Sequence, residues 1–293
     1  MIRPFLKWAG GKTRALPELL SHLPPADLLV EPFVGGASVF LNTDYKQYIL
    51  ADSNYDLINV YRNAAYHTDL LIDAALALFD GGNTAGNYYS VREHFNSQSI
   101  SHEQKWHPGR RVGQQAQWIL RAAQFIYLNR HCYNGICRYN KSGGFNTPYG
   151  KYKTVYFPEN EIRQFAEKVA RCRVMFVCAD FSFTLSMIPD SVSTVIYCDP
   201  PYIPASKTAN FTQYGSEGFD ESHHLKLALQ LTGINQKKSV PVIISNSDTA
   251  ATREIYELFD MHKISVRRSV SADSIARNNA SEIIGFLRSE VLQ

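Results

Sequence analysis

No apolar run in the chain approaches the roughly 18 residues that a membrane span requires. The segment after Met1-Ile2-Arg3-Pro4-Phe5 lacks the apolar stretch of an export signal. Neither membrane insertion nor export is expected, and the expected compartment is the cytoplasm. Cysteine is scarce: the five residues Cys132, Cys137, Cys172, Cys178 and Cys198 are odd in number and never spaced C-x-x-C. That pattern supports neither a disulfide framework nor a zinc knuckle, and no metal site is expected. No G-x-G-x-x-G follows a strand-like run, which disfavours an NAD or FAD site. Gly11-Lys12-Thr13 imitates the tail of a phosphate-binding loop, but the glycine required five residues earlier is Leu6, so a nucleoside triphosphatase is not expected.

One further absence points to a partner. Between Gln104 and Pro158 there is no Asp or Glu, while Lys105, Arg110, Arg111, Arg121, Arg130, Arg138, Lys141, Lys151 and Lys153 all fall there. The whole chain carries only +3, so the rest is net negative and the basic block is local. Trp106, Trp118, Phe125, Tyr127, Tyr133, Tyr139 and Tyr152 are interleaved with these cations. Cations mixed with rings suit nucleic-acid phosphates and bases; the blander alternative is a solvated basic face over an aromatic core.

With 293 residues, 45% hydrophobic and 19% charged, the chain can bury a full core in at most two units. Apolar, β-branched runs at Leu28–Glu31, Tyr48–Asp52, Val174–Asp180, Thr194–Asp199 and Val240–Asn246 read as buried strands. Helical patterns occupy Thr13–His22, Asp56–Phe79, Glu159–Arg171 and Ser222–Gln236, with Pro158 and Asp220 near helix starts. This alternation predicts an α/β fold with a mostly parallel sheet covered on both faces. His262–Ser271 and Glu282–Ser289, joined by a polar loop, read as an antiparallel hairpin, which makes the sheet mixed. The acid-free block breaks the rhythm: a helical pattern over Gln114–Asn129 is followed by a Gly/Asn/Tyr-rich stretch without period, as expected of an inserted helical and loop-rich module.

The strongest chemical motif is Asp199-Pro200-Pro201-Tyr202, at the end of the run Thr194–Cys198. Open parallel sheets bind ligands at the carboxyl ends of their strands. Two prolines keep the backbone extended and remove two N–H donors, leaving carbonyl oxygens and a carboxylate as acceptors beside an aromatic ring. That set suits a planar group bearing an exocyclic NH2; alone, it could also be a Pro-stiffened turn with a capping Asp. A second motif, Leu29-Val30-Glu31-Pro32-Phe33-Val34-Gly35-Gly36-Ala37-Ser38, is a strand followed by a glycine turn that admits a ligand close to the backbone. About 20 residues on, Asp52 ends the next strand, where such sheets place an acid on a ribose hydroxyl. The pair His223-His224 reads as a helix-start surface pair, and Cys198 as a buried small hydrophobe.

Taken together, F-L-K-W-A-G-G-K at 5–12, V-E-P-F-V-G-G-A-S-V-F at 30–40 and Y-C-D-P-P-Y at 197–202 resemble the DNA adenine N6-methyltransferases of the D12 class, Dam type, which modify GATC. Tyr127–Arg130, Tyr133–Asn140 and Ala209–Thr212 extend the likeness from Phe5 to about Arg268. The chain departs from the pattern in a longer Ser97–Gln117 segment and after Arg268.

The resemblance implies a Rossmann-like, mixed seven-stranded methyltransferase sheet built from 1–56 and 159–293, with an inserted, mainly helical target-recognition domain at 57–158. It implies S-adenosylmethionine as methyl donor, held by Trp8, Ala9, Gly10, Lys12, Glu31, Phe33, Gly35, Asp52, Asp180, Phe181 and Asp199. Asp199, Pro200, Pro201 and Tyr202 would be catalytic, receiving an adenine flipped out of the duplex. Duplex DNA would be contacted by Lys7, Arg111, Asn129, Arg130, Tyr133, Asn134, Ile136, Arg138, Lys141, Pro148, Lys151 and Asn210. Within that set Arg138 would read a guanine, Tyr133 would insert near the vacated position, Asn134 and Ile136 would sit at the opened bases, and Lys7 would touch the outer guanine. A nucleoid-associated monomer with no obligate protein partner is expected. Competing readings are an adenine methylase of other site specificity, a methyltransferase of RNA or of a protein amide, and a non-catalytic DNA-binding relative.

Overall fold

The computed structural model describes residues 1–8, 10–11, 15–98, 114–203, 218–266 and 280–288. Their centre is a seven-stranded sheet made of β1 (Leu28–Glu31), β2 (Gln47–Asp52), β3 (Arg173–Cys178), β4 (Thr194–Cys198), β5 (Val242–Ser247), β6 (Asp260–Val266) and β7 (Ala280–Leu287). Its order is β3-β2-β1-β4-β5-β7-β6. The first five strands run parallel, and β7 lies antiparallel between β5 and β6, so the expected hairpin is present and the sheet is mixed.

Period-two alternation divides the strands between two apolar layers. Leu29, Tyr48, Leu50, Val195, Tyr197, Ile243, Ile284 and Phe286 point into one. Leu28, Val30, Ile49, Ala51, Ile196, Cys198, Val242 and Ile244 point into the other. The first layer is closed by α1 (Leu16–Ser21), α2 (Ser38–Leu41), α3 (Tyr55–Tyr66) and α7 (Glu159–Ala170), through Leu57, Tyr61 and Phe165 among others. The second is closed by α8 (Phe181–Ser186), α9 (Glu221–Lys238) and α10 (Ala250–Ile255), through Leu185, Leu227 and Leu231 among others.

Between α3 and α7 the chain adds α4 (Thr68–Asp80), α5 (Ala85–Ser97) and α6 (Gln114–His131), then a 3-10 turn at Tyr133–Gly135 and an irregular stretch to Phe157. The helical pattern expected over Asp56–Phe79 is two helices, because His67 leaves the helical region (φ −139°, ψ 39°) ahead of Thr68-Asp69, residue types that favour a first turn. The division expected after residue 56 falls inside α3, whose Leu57, Ile58 and Tyr61 join the sheet's own apolar layer. That layer continues without a break into Tyr88, Phe95, Phe125 and Phe145 of the added elements.

A buried ion pair fastens the two. Arg121 on α6 donates to both carboxylate oxygens of Asp56 on α3 (2.6 and 3.2 Å) and to the Phe95 carbonyl (2.8 Å), while the Tyr139 hydroxyl also donates to Asp56 (2.8 Å). Arg121 is therefore a structural cation, which corrects the reading of all nine basic residues as one surface for a polyanion. Of the others, Lys105, Arg110 and Arg111 lie outside the described residues, Arg130 is half-buried, and Arg138, Lys141, Lys151 and Lys153 are exposed.

Candidate active site and DNA interface

At the carboxyl edge of the sheet, the face that is apolar in mid-strand turns polar. Glu31 follows Leu29 on β1, Asp199 follows Tyr197 after β4, and Ser245 follows Ile243 on β5. The antiparallel β7 enters at the same edge with Glu282, two residues before Ile284. Glu31, Phe33, Val34, Ser38, Val39, Tyr197 and Asp199 line a small recess there. A larger pocket bordered by Lys46, Lys168 and Cys172 lies at the amino ends of β2 and β3, away from these groups.

Glu31 is buried, and its Oε1 makes no hydrogen bond. Burial first, then the charge of Asp199, push its carboxyl up to about 8, against an opposing hydrogen bond from the Phe40 N–H. A carboxylate pair here repels itself unless a cation enters.

Asp52 accepts from the Gly35 N–H (3.2 Å) and the Asn54 N–H (2.9 Å), and burial raises it to about 6 against those bonds. Gly35 (φ 45°) needs its missing side chain: a Cβ would stand 3.1 Å from the Trp8 indole, which lies across the turn. Tyr61 donates to the Gly35 carbonyl and fixes the same turn from below.

Phe33 stacks on Phe181 at 5.8 Å between centroids, and Phe219 packs edge-on against Phe33 at 5.6 Å. Asp180 is exposed and caps α8 by accepting from the Phe183 N–H at 2.8 Å. Gly10 is exposed with φ 78° beside Gly11, whose N–H bonds the Trp8 carbonyl; Ala9 and Lys12 lie outside the described residues.

Around the D-P-P-Y turn, Ser245 Oγ donates to Asp199 Oδ1 (3.0 Å) and also meets the Tyr197 hydroxyl (2.9 Å). Tyr202 donates to Glu282 Oε2 at 2.9 Å. The Ile203 N–H donates to Asn246 Oδ1, and its carbonyl accepts from Ser247. Burial and the neighbouring carboxylates Asp199 and Glu282 hold the Tyr202 hydroxyl well above the ordinary phenol range, so it is the donor.

His224 is 1% exposed and bonds the Tyr256 hydroxyl (2.9 Å). That corrects the expectation of a surface pair: only His223 belongs to the cap of α9, where it shares a reciprocal box with Asp220. His224 turns inward because α9 presents one face to the apolar layer of Leu227 and Leu231. Ser245, Glu282 and Phe219 escape sequence reading, although an acidic or hydroxyl residue replacing the next apolar position at a strand's end is a signal that would find the first two.

The residues expected to meet DNA gather around a second centre. Asn129, completely buried, accepts from the Lys7 N–H (2.8 Å) and donates to the Lys7 carbonyl (2.6 Å), the Gly135 carbonyl (3.2 Å) and Cys137 Sγ (3.4 Å). Asn129 thus clips the Phe5–Trp8 segment to the Tyr133–Arg138 loop and has no surface for DNA, a correction imposed by its burial inside that junction. Lys7 runs over Gly135, where a Cβ would approach its own side chain to 2.4 Å, and its Nζ reaches the Arg130 carbonyl and the Tyr152 ring. Burial, then Arg130, lower its pKa.

Tyr133 (54% exposed), Asn134 (φ 53°) and Arg138 project from this loop, while Ile136 is half-buried. Arg138 Nε donates to Asn146 Oδ1 at 2.8 Å. Pro148 is exposed, and its carbonyl accepts from the Tyr133 N–H. Arg130 bonds the Tyr156 carbonyl, and Lys141 and Lys151 stand in solvent. Arg111 and Asn210 lie outside the described residues. Among the described residues no helix is long and apolar enough to cross a membrane, and no group of three or more His, Cys, Asp or Glu is arranged to hold a metal ion.

A 3-2-1-4-5-7-6 sheet with an acceptor-rich turn at the end of its fourth strand defines a Rossmann-like methyltransferase. The particular family follows from comparison: residues 8–270 match the model of the D12 class N6 adenine-specific DNA methyltransferases, and the chain belongs to that family. It is 43% identical to the DNA adenine methylase of Serratia marcescens, covering 98% of each chain. Against the DNA adenine methylase of Escherichia coli K12 it is 43% identical, over 99% of this chain and 97% of the relative. The retron Ec67 DNA adenine methylase of Escherichia coli is 42% identical, over 95% and 89% respectively.

Proposed function

We propose that this adenine-specific DNA methyltransferase transfers a methyl group from S-adenosylmethionine to N6 of an adenine flipped out of duplex DNA, within GATC. The observation that carries the reading is the acceptor turn Asp199-Pro200-Pro201-Tyr202 beside a recess lined by Glu31, whose Oε1 has no hydrogen-bond partner.

The groups around the recess suit the donor's chemistry. An orphaned carboxylate oxygen next to a second carboxylate suits the ammonium and sulfonium charges, the Phe33–Phe181–Phe219 ring cluster offers aromatic surface to the adenine, and Asp52 suits ribose hydroxyls. Trp8, Gly10, Gly35 and Asp180, with Ala9 and Lys12, are assigned to the same site by resemblance, Trp8 and Gly35 being in contact across the glycine turn. When bound, S-adenosylmethionine supplies an electrophilic methyl group.

The chain's own residues then act on the base. Asp199 and the Pro200 carbonyl accept the two N6 hydrogens and turn the nitrogen lone pair outward, Pro201 keeps the backbone extended, and Tyr202 stacks on the ring. Ser245 keeps the Asp199 carboxylate aimed. Catalysis is positioning plus electrostatics, with no covalent enzyme intermediate.

GATC selection is assigned to the Tyr133–Arg138 loop and Lys7. Arg138 carries a fork able to donate two parallel hydrogen bonds to guanine O6 and N7, and exposed Tyr133 can fill the gap a flipped base leaves. Arg130, Lys141, Lys151 and Arg111 grip phosphates, with Pro148, Ile136 and Asn210 alongside. The elements added between α3 and α7 serve as the target-recognition unit, and the sheet with its covering helices as the catalytic unit, of a cytoplasmic, nucleoid-associated monomer.

The test is methyl transfer from labelled S-adenosylmethionine to duplexes containing GATC or each single-base variant, with hydrolysis to identify the product. N6-methyladenine confined to GATC is expected; label on cytosine or on RNA alone overturns the reading.

A further inference from the structure

A tyrosine that receives a flipped base must present its ring in one orientation, yet its side chain swings about two rotatable bonds. The D-P-P-Y turn supplies a fixed backbone at Pro200 and Pro201, and Asn246 and Ser247 tie down Ile203 behind it. Neither restrains the Tyr202 ring itself. Among the described residues Glu282 restrains it directly: its Oε2 accepts from the Tyr202 hydroxyl at 2.9 Å. A phenolic O–H lies in its ring plane, so an acceptor in a fixed place sets the direction of the ring axis and constrains its plane.

Glu282 is itself well fixed. It sits on β7, opposite Ser247 of β5 and Ile264 of β6, with a strand on each side, and is 9% exposed. Its strand partners place it on the face that carries Ile284 and Phe286 inward.

Stability alone gives little reason for an acid at this position. Glu282 loses most of its solvent, and its charge acts on the Tyr202 hydroxyl alongside that of Asp199. What the side chain offers is an oxygen acceptor held in a fixed place, to which the Tyr202 hydroxyl donates.

We infer that Glu282 is a positioning residue for methyl transfer, acting through the Tyr202 hydroxyl to hold the aromatic platform against the target adenine. The inference rests on the proposed function, which gives Tyr202 the adenine to stack on.

The experiment is a double-mutant cycle on the full-length protein with a GATC duplex and S-adenosylmethionine, reading kcat and both KM values alongside melting temperature. Glu282→Ala is expected to lower kcat about tenfold, the scale of one lost charge-assisted hydrogen bond, with KM for S-adenosylmethionine within about twofold. Tyr202→Phe, which keeps the ring and removes only the hydroxyl, should match it. The double variant should be no slower than either single one. Glu282→Gln, which still offers an acceptor, should recover most of the loss.

Wild-type kcat in Glu282→Ala or Tyr202→Phe, additive losses in the cycle, or a lowered melting temperature with unchanged kcat would each overturn the inference. If Glu282→Ala does not fold, Tyr202→Phe and Glu282→Gln decide: a slow Tyr202→Phe enzyme beside an active Glu282→Gln enzyme supports the inference, and any other pairing overturns it. A wild-type protein that methylates no adenine sinks the proposed function instead, so the two failures are distinct.

Discussion

Replacing Asn129 by Ala separates a residue that organises the DNA-facing loop from one that touches DNA. The amide makes four hydrogen bonds inside the protein and is completely buried, so truncation strands the Lys7 N–H, the Lys7 carbonyl and the Gly135 carbonyl. Each lost bond costs about 1 kcal/mol net, and a buried group left unsatisfied costs about 1–3 kcal/mol. Lys7 is only half-buried and recovers water, whereas Gly135 is buried. The total is thus centred near 3 kcal/mol. At about 2–4 °C per kcal/mol for a chain of this size, the melting temperature should fall by roughly 6–12 °C. The assay is a thermal melt of wild type, Asn129→Ala and the surface control Arg138→Ala, paired with methylation of single-base GATC variants. Asn129→Ala should melt early and lose selectivity at several base pairs together, because the clip holds both Lys7 and the loop. An Asn129→Ala protein that melts like wild type yet binds DNA weakly would instead mark Asn129 as a direct DNA contact.

Asp199→Ala should reduce methyl transfer by on the order of a hundredfold while the melting temperature stays near wild type; a residual rate above about a tenth would argue against its role on N6. Arg138→Ala should relax preference at one base pair by roughly 1–3 kcal/mol in a comparison of rates on duplexes altered singly. Equal loss on every duplex would instead make Arg138 a backbone grip. Lys141→Ala and Lys151→Ala should weaken binding to all duplexes alike and flatten the plot of log affinity against log salt. For pH, Glu31 is raised in the folded state from 4.5 to about 8, so the folded protein holds a proton that the unfolded chain releases earlier. Stability from this group is therefore present in acid and lost as pH rises from about 4.5 to about 8. Without methyl donor, Glu31→Gln should melt higher than wild type at pH 9 and show a smaller change between pH 5 and pH 9. Binding of the cationic donor near neutral pH should release a proton from Glu31, measured as a dependence of the calorimetric enthalpy on the buffer's ionisation heat.

The sheet was legible because its strands announce themselves: Leu28–Glu31 and Thr194–Cys198 are short, uninterrupted apolar runs buried on both faces, and each stops at a chemically distinctive residue. The hairpin order, with β7 entering between β5 and β6, depends on pairing between distant segments that periodicity does not encode. Asp199 and Tyr202 could be read from a local motif. Ser245 and Glu282 could not, because they reach that motif only once β5 and β7 are laid beside β4. The basic block was legible as a charge imbalance, but composition does not distinguish an Arg that faces solvent from Arg121, whose partner Asp56 stands 65 residues earlier. Asn129 shows the same limit, since the residue types that suit a base edge also suit a backbone clip.

Whether the acceptor turn at the end of β4 orients an adenine N6 for methylation within GATC is decided by methylation kinetics on a matched set of duplexes. Wild type and Asp199→Ala would be assayed on GATC, on each single-base variant, and on a duplex whose target adenine is replaced by purine, which lacks the exocyclic nitrogen. Rapid transfer to N6 on GATC, large losses on every variant, no transfer to the purine duplex, and near-silence from Asp199→Ala throughout are expected. Transfer to the purine duplex, or undiminished transfer by Asp199→Ala, would contradict that role for the turn.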